Sequence, residues 1–332
     1  MIIVRVPFRV SLFGGGTDFE TFFSKRNSKV ISFSIDKYCY VNLRKLLPYF
    51  GSKYRISWSL IEEVSSLEEI THPSIKACIE YLKVKDGLEI NTVGDLPARS
   101  GLGSSSSFTA GMLAALYTYK KTPFTKSRIA NDTIKVEQSI LKENVGLQDQ
   151  IQVCLGGFNL TTIFEDATYS TLSLNNTSKF VNDIDQSLVL VYSGITRISS
   201  DIHELHKMEV TEEIKNKSLN KINFIANQFS EYLIKHEANF DIFTKLMLDS
   251  WDAKFSSFPK NNLSDKILKI YKKGINSGAK CGKLLGAGGG GFFAFFVPKE
   301  VQNSFIISMK EFICVPCNVS YNGIEILNND NF

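Results

Sequence analysis

No Gly-x-x-x-x-Gly-Lys-Ser/Thr occurs anywhere in these 332 residues, which excludes a P-loop. The nearest approach, Gly278 to Lys283, is one residue short and is followed by Leu284. The Gly101-Leu102-Gly103 stretch is not a dinucleotide-type Gly-x-Gly-x-x-Gly either, since Ser106 stands where its third glycine would be. There is no block of Lys and Arg and the net charge is only +4, which argues against a dedicated nucleic-acid binder. No uninterrupted apolar run approaches the ~18 residues of a membrane helix. The apolar start, Met1 to Val6, is broken by Arg5 and then Arg9, so it reads as a strand rather than a signal peptide. The six cysteines (39, 78, 154, 281, 314 and 317) are dispersed, as in a reduced, cytoplasmic protein. Cys314-Val-Pro-Cys317 has no second pair, and a zinc site needs about four ligands. His203 and His206 are three apart, not the four of His-Glu-x-x-His, and read as surface. Internal repeats are absent.

What is present is a globular composition, with 43% apolar and 22% charged residues. The length implies two domains at about 150 residues each. The stretch that organises the chain is Asp95 to Leu116: a turn over Pro97 to Ser100, a Gly101-Leu102-Gly103 bend, then Ser104, Ser105, Ser106 and Ser107 opening an Ala-rich helix. Glycines admit positive φ and close approach of a ligand. The first N–H groups of a helix have no internal partners and, with the helix dipole, attract anions. Serine hydroxyls can donate to phosphate or ligate Mg²⁺. A Gly/Ser cluster alone is usually a loop and a cap. The order turn, Gly-x-Gly, serines, helix with Ala110, Gly111, Ala114 and Ala115 suits a nucleoside triphosphate.

Along the chain, Ile2 to Phe13 is extended, Gly14-Gly15-Gly16-Thr17-Asp18 turns, and Phe19 to Phe23 opens a short helix. Taken alone, that turn reads as a tight bend with an Asp N-cap, although Asp18 could also accept from sugar hydroxyls. Val30 to Ile35 and Tyr38 to Leu43 alternate like a strand pair. Strands are expected at Tyr54 to Trp58, Leu88 to Asn91, Phe158 to Phe164, Tyr169 to Leu174 and Ser187 to Tyr192, with helices at Ser74 to Leu82 and Ser127 to Asn144. Helical patterns dominate Asp201 to Tyr232, Phe240 to Phe255 and Leu263 to Ser277. A second glycine-rich loop, Gly286 to Gly291, runs into a very apolar strand and holds more glycine than the ~2 special residues of a hairpin turn. Ser304 to Phe312 is the last helix and Asn318 to Ile326 the last strand.

Two carboxylates stand out. Glu137 lies on the face formed by Ala130, Ile134 and Leu141. A carboxylate there is costly unless it is paired with a cation or binds a metal, and a serine-rich loop favours an Mg²⁺ ligand. Asp149 follows twelve residues later, in or beside a loop, where one acid can hold a metal while the other meets an attacking hydroxyl.

Three motifs in order, Pro7-Phe-Arg-Val-Ser-Leu-Phe-Gly-Gly-Gly-Thr-Asp18, Pro97-x-x-x-Gly-Leu-Gly-Ser-Ser-Ser-Ser107 and Gly286-Ala-Gly-Gly-Gly-Gly291, resemble the GHMP kinase superfamily over nearly the whole chain. The first two look most like its branch of heptose 7-phosphate kinases. Galactokinases carry Gly-Glu-His where Gly14-Gly15-Gly16 stand here, which speaks against galactose. The resemblance implies a two-domain α+β fold, with a ribosomal-protein-S5-like N-terminal half (1–180) and a ferredoxin-like, helical C-terminal half (181–332).

The resemblance also implies roles. Pro97 and Ser100 to Ser107 would surround the ATP phosphates, by way of Gly101, Leu102, Gly103, Ser104, Ser105 and Ser106. Ser105 and Glu137 would bind Mg²⁺, and Asp149 would meet the acceptor hydroxyl with Arg9 beside it. Gly15, Gly16, Thr17 and Asp18 would bind the sugar, and Gly288, Gly289 and Gly290 would shape the substrate side. For a phosphate at the far end of the sugar, Arg197 is the first choice, with Arg99 and Lys283 as alternatives. The expected partners are ATP and a small sugar phosphate, without nucleic acid or membrane. The oligomeric state stays open, a dimer included. The implied reaction is phosphorylation of the anomeric hydroxyl of D-glycero-D-manno-heptose 7-phosphate, towards GDP-heptose and capsule or lipopolysaccharide. A fucose-type sugar, a mevalonate-type alcohol, or a non-catalytic ATP and sugar sensor are the alternatives.

Overall fold

The structure, a computed structural model, describes residues 1–174, 178–195, 211–258, 261–286 and 290–329. Alternation at Ile2, Val4 and Val6 turns one face of β1 (Ile2–Phe13) inward, and every residue from Val6 to Phe13 is buried. It pairs antiparallel with β2 (Ser28–Lys45), one 18-residue strand where the alternation had implied two. Asp36-Lys37, at the expected turn, lacks the glycine or asparagine of a tight hairpin. Asp36 instead accepts from the backbone N–H and side-chain amide of Asn318, at 3.1 and 2.9 Å.

A hairpin of β3 (Tyr54–Ser57) and β4 (Ile61–Val64) lies beside β5 (Leu88–Gly94), with β3 and β5 parallel. β5 pairs with the C-terminal part of β2, and β6 (Phe158–Ile163) with its N-terminal part. β7 (Tyr169–Leu174) extends β6. Behind this sheet lies the helix Ser104–Tyr119. A Cβ at Gly111 would stand 2.9 Å from Val41 and 3.3 Å from Val6, so its small residues set how closely it approaches the strands.

A second antiparallel sheet holds β8 (Leu188–Tyr192), β9 (Cys281–Leu284), β10 (Phe292–Phe296) and β11 (Ile313–Pro316), in the order β11-β8-β10-β9. The run Phe-Phe-Ala-Phe-Phe is apolar throughout because both faces of β10 are covered. Phe292, Ala294 and Phe296 join the central core with Phe229 and Phe243, while Phe293 and Phe295 pack with Trp251 and Tyr271. That central core also takes Phe8, Val10, Phe33 and Phe158 from the first sheet, so elements of both sheets share it.

The last strand, β12, is Glu325–Asn329 and returns to pair with β1. It starts later than its sequence implied, because the preceding segment is tied elsewhere: a Cβ at Gly323 would stand 2.0 Å from the Cys154 carbonyl, which accepts from the N–H of Ile324. The α+β architecture expected from the motifs is the one observed. Among the described residues, no helix is long and apolar enough to cross a membrane, and all six cysteines are free.

Candidate active site

Arg9, in the middle of β1, reaches three places. Its Nε and Nη2 donate to the two carboxylate oxygens of Asp149 at 2.7 and 2.6 Å, and its Nη1 donates to the Gly101 carbonyl at 2.6 Å. The Arg9 backbone N–H donates to Leu102 at 2.9 Å. A two-point guanidinium–carboxylate pair is strong and fixes direction as well as distance. Asp149 lies in the first turn of the helix Gln148–Leu155 rather than in a loop. A Cβ at Gly103 would meet Arg9 at 3.0 Å and Asp149 at 3.6 Å, so the phosphate-type loop lies directly on this pair.

The four serines divide their tasks. Ser104 Oγ accepts from the Arg99 N–H at 3.1 Å, Ser106 Oγ donates to Glu137 Oε2 at 3.0 Å, and Ser107 Oγ donates to the Pro7 and Gly103 carbonyls. Ser105 is exposed. Gly103 takes a left-handed conformation, φ 73°, at the helix N-cap, and no side chain caps that end. The first helical N–H groups are therefore available to an anion. Pro97 and Arg99 lie exposed on the turn before it, while Ser100 is buried.

Glu137 sits in a π-helical turn, Lys135–Ile140, that continues the helix Lys126–Ile134. The wider turn replaces the single α-helix expected to Asn144, and such turns are frequent at functional sites. Glu137 is fully buried. Its Oε2 also accepts from Gln150 Nε2 at 2.6 Å, while its Oε1 and Gln150 Oε1 have no partner. Burial pushes its pKa up to about 7 against the hydrogen bonds from Gln150 and Ser106. Two buried acceptors without donors, next to a serine and the phosphate-type loop, fit a divalent cation. Among the described residues no three His, Cys, Asp or Glu gather to hold a metal. An ion here would therefore share Glu137 with phosphate oxygens, the usual manner of Mg²⁺.

The first glycine-rich turn is built inward. Thr17 is fully buried and donates its hydroxyl to the Gly14 carbonyl at 2.8 Å. Asp18 accepts from the backbone N–H groups of Gly16 and Gln148, at 2.9 and 3.2 Å. Burial raises its pKa, and Asp149 adds to that. A Cβ at Gly146 would stand 2.0 Å from Asp18 Oδ2. Ser11 Oγ donates to Gln148 Oε1 at 2.8 Å, beneath Gly15. The expected sugar-binding residues Gly15, Gly16, Thr17 and Asp18 are thus drawn to the N-terminus of the Asp149 helix.

The second glycine-rich loop packs on the first, backbone to backbone. A Cβ at Gly101 would fall 2.6 Å from the Leu285 carbonyl, one at Gly286 2.7 Å from Gly101 Cα, and one at Gly291 2.3 Å from the Ser100 carbonyl. Gly290 lies equally close to the Ile195 backbone. Lys254 Nζ donates to the carbonyls of Leu284 and Gly286, and the buried Lys283 Nζ donates to Leu12 at 2.7 Å. Burial, with Arg9 adding, pushes Lys254 down to about 8, and burial, with Lys254 and Arg9 adding, pushes Lys283 well below its ordinary value. Arg197, Gly288 and Gly289 lie outside the described residues.

Sequence reasoning missed the Ser106 and Gln150 bridges, Lys254, and an aromatic group beside the loop. His72 stacks on Phe108 with ring centroids 4.6 Å apart, and Trp58 stands edge-on to His72 at 4.7 Å. All three are half-buried. Trp58 Nε1 donates to Glu62 at 2.7 Å, and burial lowers the His72 pKa, which favours the neutral ring.

Residues 73–157, which hold the serine loop, Glu137 and Asp149, match the model of the GHMP kinases N terminal domain. The chain is 28% identical to a D-glycero-alpha-D-manno-heptose 7-phosphate kinase of Campylobacter jejuni, over 93% of each chain. It is 25% identical to a galactokinase of Pyrococcus furiosus, over 90% of each. A D-glycero-D-manno-heptose 1-phosphate kinase from Bacteroides thetaiotaomicron superposes with a TM-score of 0.79 over the full length of both chains, at 19% identity. Mevalonate kinase of Methanococcus jannaschii does so at 0.73, over 96% of this chain and 98% of its own, at 20% identity. With its motifs gathered at one site, the chain carries a GHMP kinases N terminal domain over residues 73–157 and is a phosphotransferase with an alcohol group as acceptor.

Proposed function

We propose that this kinase transfers the γ-phosphoryl group of ATP to the anomeric C1 hydroxyl of D-glycero-D-manno-heptose 7-phosphate, giving the 1,7-bisphosphate and ADP, on the way to nucleotide-activated heptose for surface polysaccharide. The observation that carries the reading is the two-point Arg9–Asp149 pair set directly against Gly103 of the phosphate-type loop. A carboxylate held in a fixed direction beside that loop supports a role for Asp149 at the attacking hydroxyl. The likeness to the Campylobacter enzyme supports the choice of acceptor.

Phosphoryl transfer depends on position and charge neutralisation more than on covalent chemistry. Asp149 accepts the C1 hydroxyl proton, or orients it, as the C1–O–P bond forms and the bond to ADP breaks. Arg9 holds the Asp149 carboxylate in direction and offsets the negative charge that develops beside it. N–H groups from Gly103 to Ser106 receive phosphate oxygens. Glu137, together with Ser105 or Ser106, would hold Mg²⁺, and the ion would supply charge neutralisation for the nucleotide phosphates. The aromatic group of Trp58, His72 and Phe108 offers a stacking face for the base. Asp18 orders the sugar side by clamping the first glycine turn to the N–H of Gln148. Arg197 remains the proposed partner of the 7-phosphate, and residues 1–180 and 181–332 remain the proposed domains.

A panel of acceptors, read by ADP release, tests the reading: heptose 7-phosphate, unphosphorylated heptose, fucose, galactose and mevalonate. The expected result is the highest kcat/KM for heptose 7-phosphate. A higher value for any other member would replace the acceptor, and absence of turnover with all of them alongside tight sugar binding would favour a sensor.

A further inference from the structure

Lys254 lies in the last turn of the helix Phe240–Phe255, a part of the molecule that carries none of the three motifs. Its ammonium donates to the Leu284 carbonyl at 2.9 Å and the Gly286 carbonyl at 2.6 Å. Both partners are neutral, and among the described residues it has no carboxylate. Lys254 is half-buried, and an ammonium drawn partly out of water onto neutral partners alone is costly, so a well-packed apolar side chain of similar length is generally no less stable. Stability by itself does not account for a lysine here.

The two carbonyls that Lys254 holds flank Leu285. The Leu285 carbonyl lies under Gly101, so close that a Cβ there would be 2.6 Å away, and Gly286 packs on the Gly101 Cα from the same side. On its other side, the Gly101 carbonyl accepts from Arg9 Nη1 at 2.6 Å. The first residue of the Gly-x-Gly bend is therefore gripped between Arg9 and a backbone segment that Lys254 fastens from behind. Lys283, held on the Leu12 carbonyl, and Arg9 add their charge to the same region, which among the described residues only Asp149 offsets by direct pairing.

The geometry points to Lys254 as a positioning residue for nucleotide binding: it pins the Leu284–Gly286 backbone beneath Gly101 and so keeps the phosphate loop in its binding shape. The inference rests on the kinase reading above but not on the identity of the acceptor. It assigns to Lys254 no contact with the reacting atoms. Its removal therefore acts first on nucleotide affinity and less on the chemical step.

The test compares the parent with Lys254→Met, Lys254→Arg and, as a control on the same helix, the exposed Lys245→Met. Binding of Mg·ADP is measured by calorimetry, thermal unfolding is followed in parallel, and kcat and the KM for ATP are determined. Lys254→Met is expected to weaken Mg·ADP binding about tenfold or more. The KM for ATP should rise by a similar factor, with a smaller change in kcat and an unfolding temperature close to the parent's. Lys254→Arg, which keeps donors for both carbonyls, restores most of the affinity, and Lys245→Met behaves as the parent. Should Lys254→Met fail to fold, Lys254→Gln takes its place with the same two readings. Parent-like Mg·ADP affinity in the variant overturns the inference, as does a loss that only mirrors the unfolded fraction. Absence of Mg·ADP binding by the parent itself would instead remove the kinase reading on which it rests.

Discussion

Arg9 and Asp149, 140 residues apart along the chain, meet through two hydrogen bonds of 2.7 and 2.6 Å, and the Gly-x-Gly bend rests on the pair. This relationship joins the first motif to the second and gives the carboxylate a fixed direction. Asp149→Asn keeps the shape but loses the charge and the capacity to take a proton. We expect kcat to fall by roughly 10²–10⁴-fold, with nucleotide affinity nearly intact. Steady-state kinetics and calorimetry on one preparation check this, and an unchanged kcat would remove the role.

Glu137 gives a prediction with a definite sign. Its pKa of about 7 in the folded chain stands above the ordinary 4.5, so the metal-free folded state binds the extra proton between those values. A group that binds more protons folded than unfolded loses stability as pH rises through that window. At about 1.4 kcal/mol per unit, the loss is up to about 3 kcal/mol by pH 7. Denaturant unfolding of the metal-free protein from pH 4.5 to 7.5 should show this slope, and Glu137→Gln should lack it. The same variant should need more Mg²⁺ for half-maximal activity, and an unchanged Mg²⁺ titration would take Glu137 out of the metal shell.

The interlock of the two glycine loops separates two costs that glycine replacement usually mixes. Gly51 has φ 79° and open space around it, so Gly51→Ala meets only the left-handed penalty, roughly 1–2 kcal/mol. Gly101 has φ 81° and the Leu285 carbonyl 2.6 Å from its would-be Cβ. Gly101→Ala should destabilise more and weaken nucleotide binding as well. Thermal unfolding with and without ADP distinguishes the two, and equal behaviour would contradict the packing described.

Trp58 tests the stacking face. Trp58→Ala should raise the KM for ATP about tenfold, on a stacking contribution of roughly 1–3 kcal/mol, and leave the KM for the sugar unchanged. A rise in the sugar KM instead would move the aromatic group to the acceptor side.

The sequence made the phosphate-type loop legible because its signals are local: glycines, four consecutive serines and an Ala-rich helix within about twenty residues. Glu137 was legible as a carboxylate on an apolar face, and Asp149 through the spacing and the family resemblance. The partners of Glu137 were not legible. Ser106 and Gln150 reach it from 31 and 13 residues away, and the π-turn that aims it leaves no mark on a 3.6-residue period. The resemblance put Ser105 beside the metal, whereas Ser106 is the serine in contact with Glu137. Lys254 sits in an ordinary amphipathic helix, and its partners are carbonyls 30 and 32 residues on, which no side-chain pattern encodes. The single β2 strand and the late start of β12 depend on Asn318 and Gly323, both tied by contacts distant in sequence.

Phosphorus NMR of one reaction mixture, holding this protein, ATP, Mg²⁺ and heptose 7-phosphate, reports both the transfer and its position. The account predicts loss of the γ-phosphate signal, growth of ADP, and a new resonance coupled to the anomeric proton while the 7-phosphate signal persists. A new phosphate on any other carbon, or ATP that stays intact beside a bound sugar, would contradict it.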